Sequence, residues 1–273
     1  MNIKFNYYGF IIGIAVVVAL QLIEKKLPKI KISEKFFYKI VAFVAIFVIL
    51  GARLWHVATD FQIYKNNLLA ILELWNGGLS IFGGVLGGIL GLYLSVYILP
   101  VQKKITSDKK KQLFLQLLDI SIFGLPFAQA FGRIANFVNQ ELYGAPTNGL
   151  VKIFIDKDHR LPGYENIEYY HPLFLYEMIF TGLFAVGLHL IDRKDNFIKK
   201  LPILKKVKLP KLGTGEIFRF YILYYSLIRF LLDFLRIDKA NLPGFYIGIN
   251  QLVLFIIIII IMIKTFNERK NEK

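Results

Sequence analysis

The run Leu254-Phe255-Ile256-Ile257-Ile258-Ile259-Ile260-Ile261-Met262-Ile263 decides the fold of this chain. It has no polar position, so a helix built from it has no face to offer water and belongs inside a bilayer. Working outward, that run sits in an expected span near 246–264. Six more apolar stretches lie near 8–23, 37–56, 80–99, 112–131, 172–192 and 217–235, each close to the ~20 residues that cross hydrocarbon. Composition agrees. Of 273 residues 56% are hydrophobic and only 19% charged, and the mean hydropathy is +0.52. Soluble chains carry about a quarter charged residues. A disordered chain, a secreted miniprotein and an ordinary cytosolic enzyme are excluded. The first span follows Lys4 closely, and no small-residue cleavage site precedes the lysines after it, so it reads as an uncleaved anchor.

The formal charge is +15, and its placement explains it. Of the 34 Lys and Arg residues, 22 fall in the alternate segments 24–36, 100–111, 193–216 and the tail from Lys264. By the positive-inside rule these segments are cytoplasmic. The expected fold is therefore an all-α polytopic membrane protein with seven transmembrane helices, N-terminus outside and C-terminus cytoplasmic. It is a single integral membrane domain over 1–273, with a small extracytoplasmic cap at 141–171. Anionic headgroups are a secondary attraction for the lysines. No basic stripe interleaves with stacking aromatics, so no nucleic acid is expected as a partner. With no cysteine there is neither disulfide nor thiolate chemistry of the chain's own. The four histidines form no HxxxH or HExxH pair, and no metal is expected.

Four basic residues remain inside or at the edge of spans: Lys39, Arg53, Arg219 and Arg229. Lys39 and Arg219 sit near cytoplasmic ends and can snorkel. Arg229 lies deep in Tyr225-Ser226-Leu227-Ile228-Arg229-Phe230-Leu231-Leu232-Asp233-Phe234-Leu235-Arg236. Helical spacing puts Tyr225, Arg229 and Asp233 on one face with Arg236 within a turn. A membrane-depth cation faces the bundle interior and marks a functional site, or the stripe is a buried ion pair that fixes packing. A second cluster is Gly132-Arg133-Ile134-Ala135-Asn136-Phe137-Val138-Asn139-Gln140-Glu141, where Arg133, Asn136 and Gln140 recur at helical spacing. Two arginine clusters on one side of the membrane suggest an anion between them, because guanidinium forks match phosphate oxygens.

The stretch Trp75-Asn76-Gly77-Gly78-Leu79-Ser80-Ile81-Phe82-Gly83-Gly84-Val85-Leu86-Gly87-Gly88 opens the third span. Gly84, Gly88 and Gly91 have small-residue spacing for close helix contact. Gly77 and Gly78 either free backbone amides for an anion or make a simple turn. His171-Pro172 opens the fifth span, with His171 either a cap, a solvated interfacial residue or a catalytic one.

Taken in order, these blocks resemble the prolipoprotein diacylglyceryl transferase family. The match runs from Tyr8-Gly9 through Gly51-Ala52-Arg53, Gly77 to Gly88, Gly132 to Glu141 and His171 to Glu177, ending at Tyr225 to Arg236 with Asp238. The resemblance implies transfer of the diacylglyceryl group of phosphatidylglycerol to the lipobox cysteine thiol of a preprolipoprotein, releasing glycerol 1-phosphate. It implies a multi-pass protein of the bacterial plasma membrane, surrounded by membrane lipids, with its site on the extracytoplasmic side and no cofactor. Arg133 and Arg229 would clamp the phosphate, with Tyr8 and Glu141 beside them as catalytic candidates. Asn136, Asn139, Gly83, Gly84, Tyr225, Asp233, Arg236 and His171 would line the substrate site. One departure stands out: Phe82 occupies a position where many members carry histidine, often assigned as the base for the thiol. His171, Tyr8 or Glu141 would then take the proton, or the arginine field alone would suffice. Readings from other classes are an anion or lipid transporter, a lipid-binding homologue without turnover, and a lipid phosphotransferase or acyltransferase. No internal duplication favours the transporter, and no DxxD or HxxxxD cluster in the outward-facing loops favours the last of these.

Overall fold

The computed structural model describes residues 7–100, 106–193, 210–239 and 247–271. Lys4, most of the lysine-rich segment 193–216, residues 101–105 and the start of the last expected span lie outside them. The chain divides into two compact units.

The first unit holds Met1–Ile23, Asp119–Lys211 and Gly215–Lys273. It contains α1 (Tyr7–Glu24, its last residue excepted), and the second holds α2 (Leu27–Ile30), α3 (Glu34–Thr59), α4 (Phe61–Tyr64) and α5 (Ile81–Ile98). Helix α6 (Ser107–Ser121) belongs mostly to the second unit, while α7 (Leu125–Val138), α8 (Leu173–Arg193), α9 (Glu216–Leu232) and α10 (Ile249–Asn271) belong to the first. Among the described residues five helices, α1, α3, α5, α8 and α10, are long and apolar enough to cross a membrane. The expected fourth span is not one straight helix: α6 and α7 meet at a bend of 42°. Pro126 explains the break, since it lacks an N–H and its ring excludes the carbonyl four residues earlier. Ile122, Phe123 and Gly124 instead bond back three residues, and a Cβ on Gly124 would overlap the Ala19 carbonyl of α1. The expected sixth span is α9 continued by a 3₁₀ turn, Asp233–Leu235.

In the first unit α8 packs against α7 and α9, and α9 against α10. The start of α9 is capped from a distance. Buried Asp119 accepts from the Gly215 amide at 3.0 Å and the Phe218 amide at 3.1 Å, filling the role of an N-cap side chain. Between α7 and α8 lies the cap, which adds the one piece of sheet among the described residues. Strands β1 (Ile153–Phe154) and β2 (Tyr169–Tyr170) pair antiparallel, Ile153 opposite Tyr170. Its small core is Tyr143, Ile155 and Tyr170, and the Tyr143 hydroxyl accepts from the Leu161 amide at 2.8 Å while donating to the His159 carbonyl at 2.9 Å.

In the second unit α3 starts at Ser33, whose side chain accepts from the Phe36 amide at 3.4 Å, with Glu34 favourably placed in the first turn. Helices α3 and α5 pack backbone to backbone. A Cβ on Gly83 or Gly87 would overlap the carbonyl oxygens of Gly51 or Phe47, and one on Gly91 would press on the Phe47 side chain at 2.6 Å. The contact face is thus Gly83-Gly87-Gly91, one residue earlier than the expected Gly84 and Gly88, because only the four-residue repeat keeps glycine on a single stripe.

Arg53, near the end of α3 and 5% exposed, reaches into the segment before α5. It donates to the carbonyls of Ile71 (2.7 Å), Gly77 (2.6 Å), Gly78 (3.1 Å), Glu73 (3.3 Å) and Ala70. Gly77 and Gly78 have φ of 82° and 71°, which lets both carbonyls turn to the cation. The Gly77 amide bonds to Leu74 and that of Ser80 to Ala52. The anion cradle weighed for this turn is therefore replaced by its electrical opposite, a set of carbonyls around a guanidinium.

Candidate active site

On α9, Tyr221, Tyr225 and Arg229 repeat every four residues and so share a face, which Asp233 continues. On α7, Gln129, Arg133 and Asn136, spaced by four and then three residues, likewise share a face. Glu177, one turn into α8, is 0% exposed and is the point where these faces meet. Its Oε1 accepts from Arg133 Nη2 and from the Tyr225 hydroxyl at 2.8 Å, and its Oε2 accepts from Arg229 Nη1 at 3.1 Å. Two guanidiniums and a phenol from two helices thus share one carboxylate on a third. A buried ion requires such pairing, because an unpaired charge in a low-dielectric interior is costly.

The network extends on both sides. Arg133 Nη1 donates to Asn136 Oδ1 at 2.8 Å, and Asn136 Nδ2 donates to Glu141 Oε1 at 2.7 Å. These two bonds fix which way the Asn136 amide points. Arg133 Nε is buried and has no hydrogen-bond partner. Arg229 Nη2 lies 3.1 Å from Asp233 Oδ1, and Arg236 Nη1 3.9 Å from the same oxygen. Neither Asp233 carboxylate oxygen makes a hydrogen bond, so charge contact alone holds it. Arg236 grips Asp238 bidentately, Nε to Oδ1 at 2.6 Å and Nη2 to Oδ2 at 3.0 Å. Burial pushes the Asp238 carboxyl up, but the Arg236 fork outweighs it and holds the group below the usual carboxylate range. A turn further along α7 and α9, the Tyr221 hydroxyl donates to Gln129 Oε1.

Of the residues expected at the site, Arg133, Arg229, Asn136, Glu141, Tyr225, Asp233 and Arg236 form this one connected cluster. Tyr8, in the first turn of α1 and 38% exposed, is close enough to Glu141 and Arg133 to feel both charges. Asn139 is exposed just past the end of α7. His171 belongs to the frame of the cap: its amide donates to Ala145, its carbonyl accepts from Gly144, and its Nδ1 lies 3.1 Å from the Tyr176 hydroxyl. Gly83 and Gly84 belong to the second unit, where Gly83 is packed on α3, and Phe82 lies tilted beside Trp55 with ring centroids 6.4 Å apart. The anion expected between the arginines is, in this structure, the protein's own Glu177. Reading the sequence for cations at membrane depth passed it over, although a glutamate five residues into an apolar helix is the same kind of signal.

The side chains of Arg133 and Arg229 remain 18% and 12% exposed. An oxyanion arriving there meets the exposed parts of two guanidiniums already held by their own carboxylate. Donors held in advance by their own carboxylate need no reorganisation when charge develops nearby.

Residues 1–266 match the family model described as prolipoprotein diacylglyceryl transferase. Relatives named phosphatidylglycerol–prolipoprotein diacylglyceryl transferase include a protein of Listeria monocytogenes, 32% identical over 275 residues, covering 98% of this chain and 88% of its own. One of Thermosynechococcus vestitus is 30% identical over 240 residues, covering 88% and 80%, and one of Synechocystis sp. is 32% identical over 238 residues, covering 87% and 76%.

Proposed function

The chain belongs to the prolipoprotein diacylglyceryl transferase family, and we propose that it moves the diacylglyceryl group of phosphatidylglycerol onto the lipobox cysteine thiol of a preprolipoprotein. The substrate sulfur attacks the glyceryl carbon that bears the phosphate ester. A C–S bond forms, the C–O bond breaks, and its electron pair leaves on glycerol 1-phosphate, while the thiol proton passes to solvent or to the product phosphate. A free thiol has a pKa of about 8.5 and is only a few per cent ionised near neutrality, so a cationic site raises the reactive fraction. The larger demand falls on the departing phosphate, where negative charge collects in the transition state.

The observation that carries this reading is the pairing of Arg133 and Arg229 on Glu177, with both arginine side chains still partly exposed. These arginines bind the phosphate, Asn136 and Asn139 orient headgroup oxygens, and Tyr8, Tyr225 and Glu141 support that shell. Asp233 and Arg236 hold Arg229 in place. Glu177 joins this set as the anchor of both guanidiniums. The protein crosses a bacterial plasma membrane seven times, with the cap and the arginine cluster outside. The lysine pattern supports this, as does the reach of α9 through its 3₁₀ extension to Leu235.

Phe82 favours a second reading, a homologue that binds phosphatidylglycerol without turning it over, since a phenyl ring takes no proton. Purified protein in detergent with phosphatidylglycerol and a lipobox peptide separates the two. Mass spectrometry shows a thioether-linked diacylglyceryl peptide if the transferase reading holds. Lipid binding with no product above the blank selects the second reading.

A further inference from the structure

Helix α7 ends in a turn that an L-residue enters only at a cost. Gln140 has φ +50° and Leu142 φ +57°, with Glu141 between them. The Glu141 amide donates to the Asn136 carbonyl at 2.9 Å and the Gln140 amide to that of Phe137 at 3.1 Å. These are the paired bonds of a Schellman ending, whose left-handed position glycine ordinarily fills. Here Gln140 fills it, and residue Asp156 of the cap holds Gln140 from two sides. Gln140 Oε1 accepts from the Asp156 amide at 2.6 Å, and Gln140 Nε2 donates to Asp156 Oδ2. The second left-handed residue is also tied down, its carbonyl accepting from the Phe174 amide at 3.1 Å. So held, the turn folds Glu141 back onto Asn136, and Asn136 onto Arg133.

We propose that Asp156 and Gln140 are positioning residues for the transfer reaction. Their clasp keeps the left-handed turn closed and, through Glu141 and Asn136, sets the plane of the Arg133 guanidinium. The inference rests on the transferase reading above. Its physical content is that the clasp compensates for the missing glycine: a glycine at position 140 takes the same φ without help, whereas a residue with a Cβ drifts back to negative φ once released.

Asp156→Ala tests this. The variant keeps the amide bond to Gln140 and loses the carboxylate bond. The expected result is a fall of about tenfold in kcat at nearly constant KM for phosphatidylglycerol, the size of effect a left-handed residue released to its ordinary conformation corresponds to. Adding Gln140→Gly to Asp156→Ala recovers most of that loss. A clasp that merely steadies the cap gains nothing from the glycine, so a double variant as slow as the single one overturns the proposal. Hydrogen exchange at the Glu141 amide provides a reading independent of activity. It speeds up in Asp156→Ala and slows again in the double variant; unchanged exchange in the single variant also overturns the proposal. Wild-type protein with no transfer activity removes the transferase reading instead, and exchange at Glu141 then decides whether the clasp exists.

Discussion

Glu177→Gln keeps the shape of the side chain and removes its charge, leaving two guanidiniums facing an amide. Losing one partner of a buried pair costs about 3–5 kcal/mol, so the melting temperature in detergent should fall clearly. An unchanged melting curve would mean that the arginines do not depend on this carboxylate. Arg229→Lys is a different loss: the charge stays, but the planar fork that spans Glu177 and Asp233 goes. Removing one pre-oriented donor typically lowers kcat by about 10²–10³, and full rate in the lysine variant would take Arg229 out of the phosphate site. Both arginines, with Asn136 and Asp233, were legible in the sequence because polar residues at helical spacing stand out in an apolar chain, and Glu141 flanks that pattern. Glu177 was not, because spacing shows which residues share a face of one helix and is silent on which face of another helix meets it.

Helix α5 is recognised by its glycines, and a chosen pair of substitutions reads out how it packs. Gly87→Ala drives a methyl into the Phe47 carbonyl, backbone against backbone, whereas Gly84→Ala meets its nearest atoms at 3.7 Å. The first should lose about 1–3 kcal/mol in thermal unfolding and the second almost nothing; equal losses would refute the glycine stripe. Among the described residues five of the seven expected apolar stretches appear as helices long and apolar enough to cross a membrane, and 217–235 appears as the 17-residue α9 with its 3₁₀ turn. The fourth does not, although Gly124 and Pro126 stood in view. Hydropathy averages over such residues, while the path of the helix responds to one missing N–H. The turn at Gly77 and Gly78 was ambiguous for a related reason: glycine permits a conformation without saying whether carbonyls or amides will face inward.

For the molecule as a whole, the proposed orientation rests on charge asymmetry, and the absence of cysteine makes it testable on a silent background. Single cysteines at Leu150 in the cap and at Lys109 at the start of α6 should differ in intact cells. The first should react with a membrane-impermeant maleimide and the second only after lysis. The reverse pattern would invert the topology and put the arginine cluster on the wrong side for exported substrates. The capture of five carbonyls by Arg53 has a consequence at this scale too. Elsewhere a calcium ion often gathers loop carbonyls in this way, and chelation or dilution then loosens the loop. Here the cation is tethered by its own side chain, so the segment before α5 keeps its fastening whatever the mineral content of the surrounding medium.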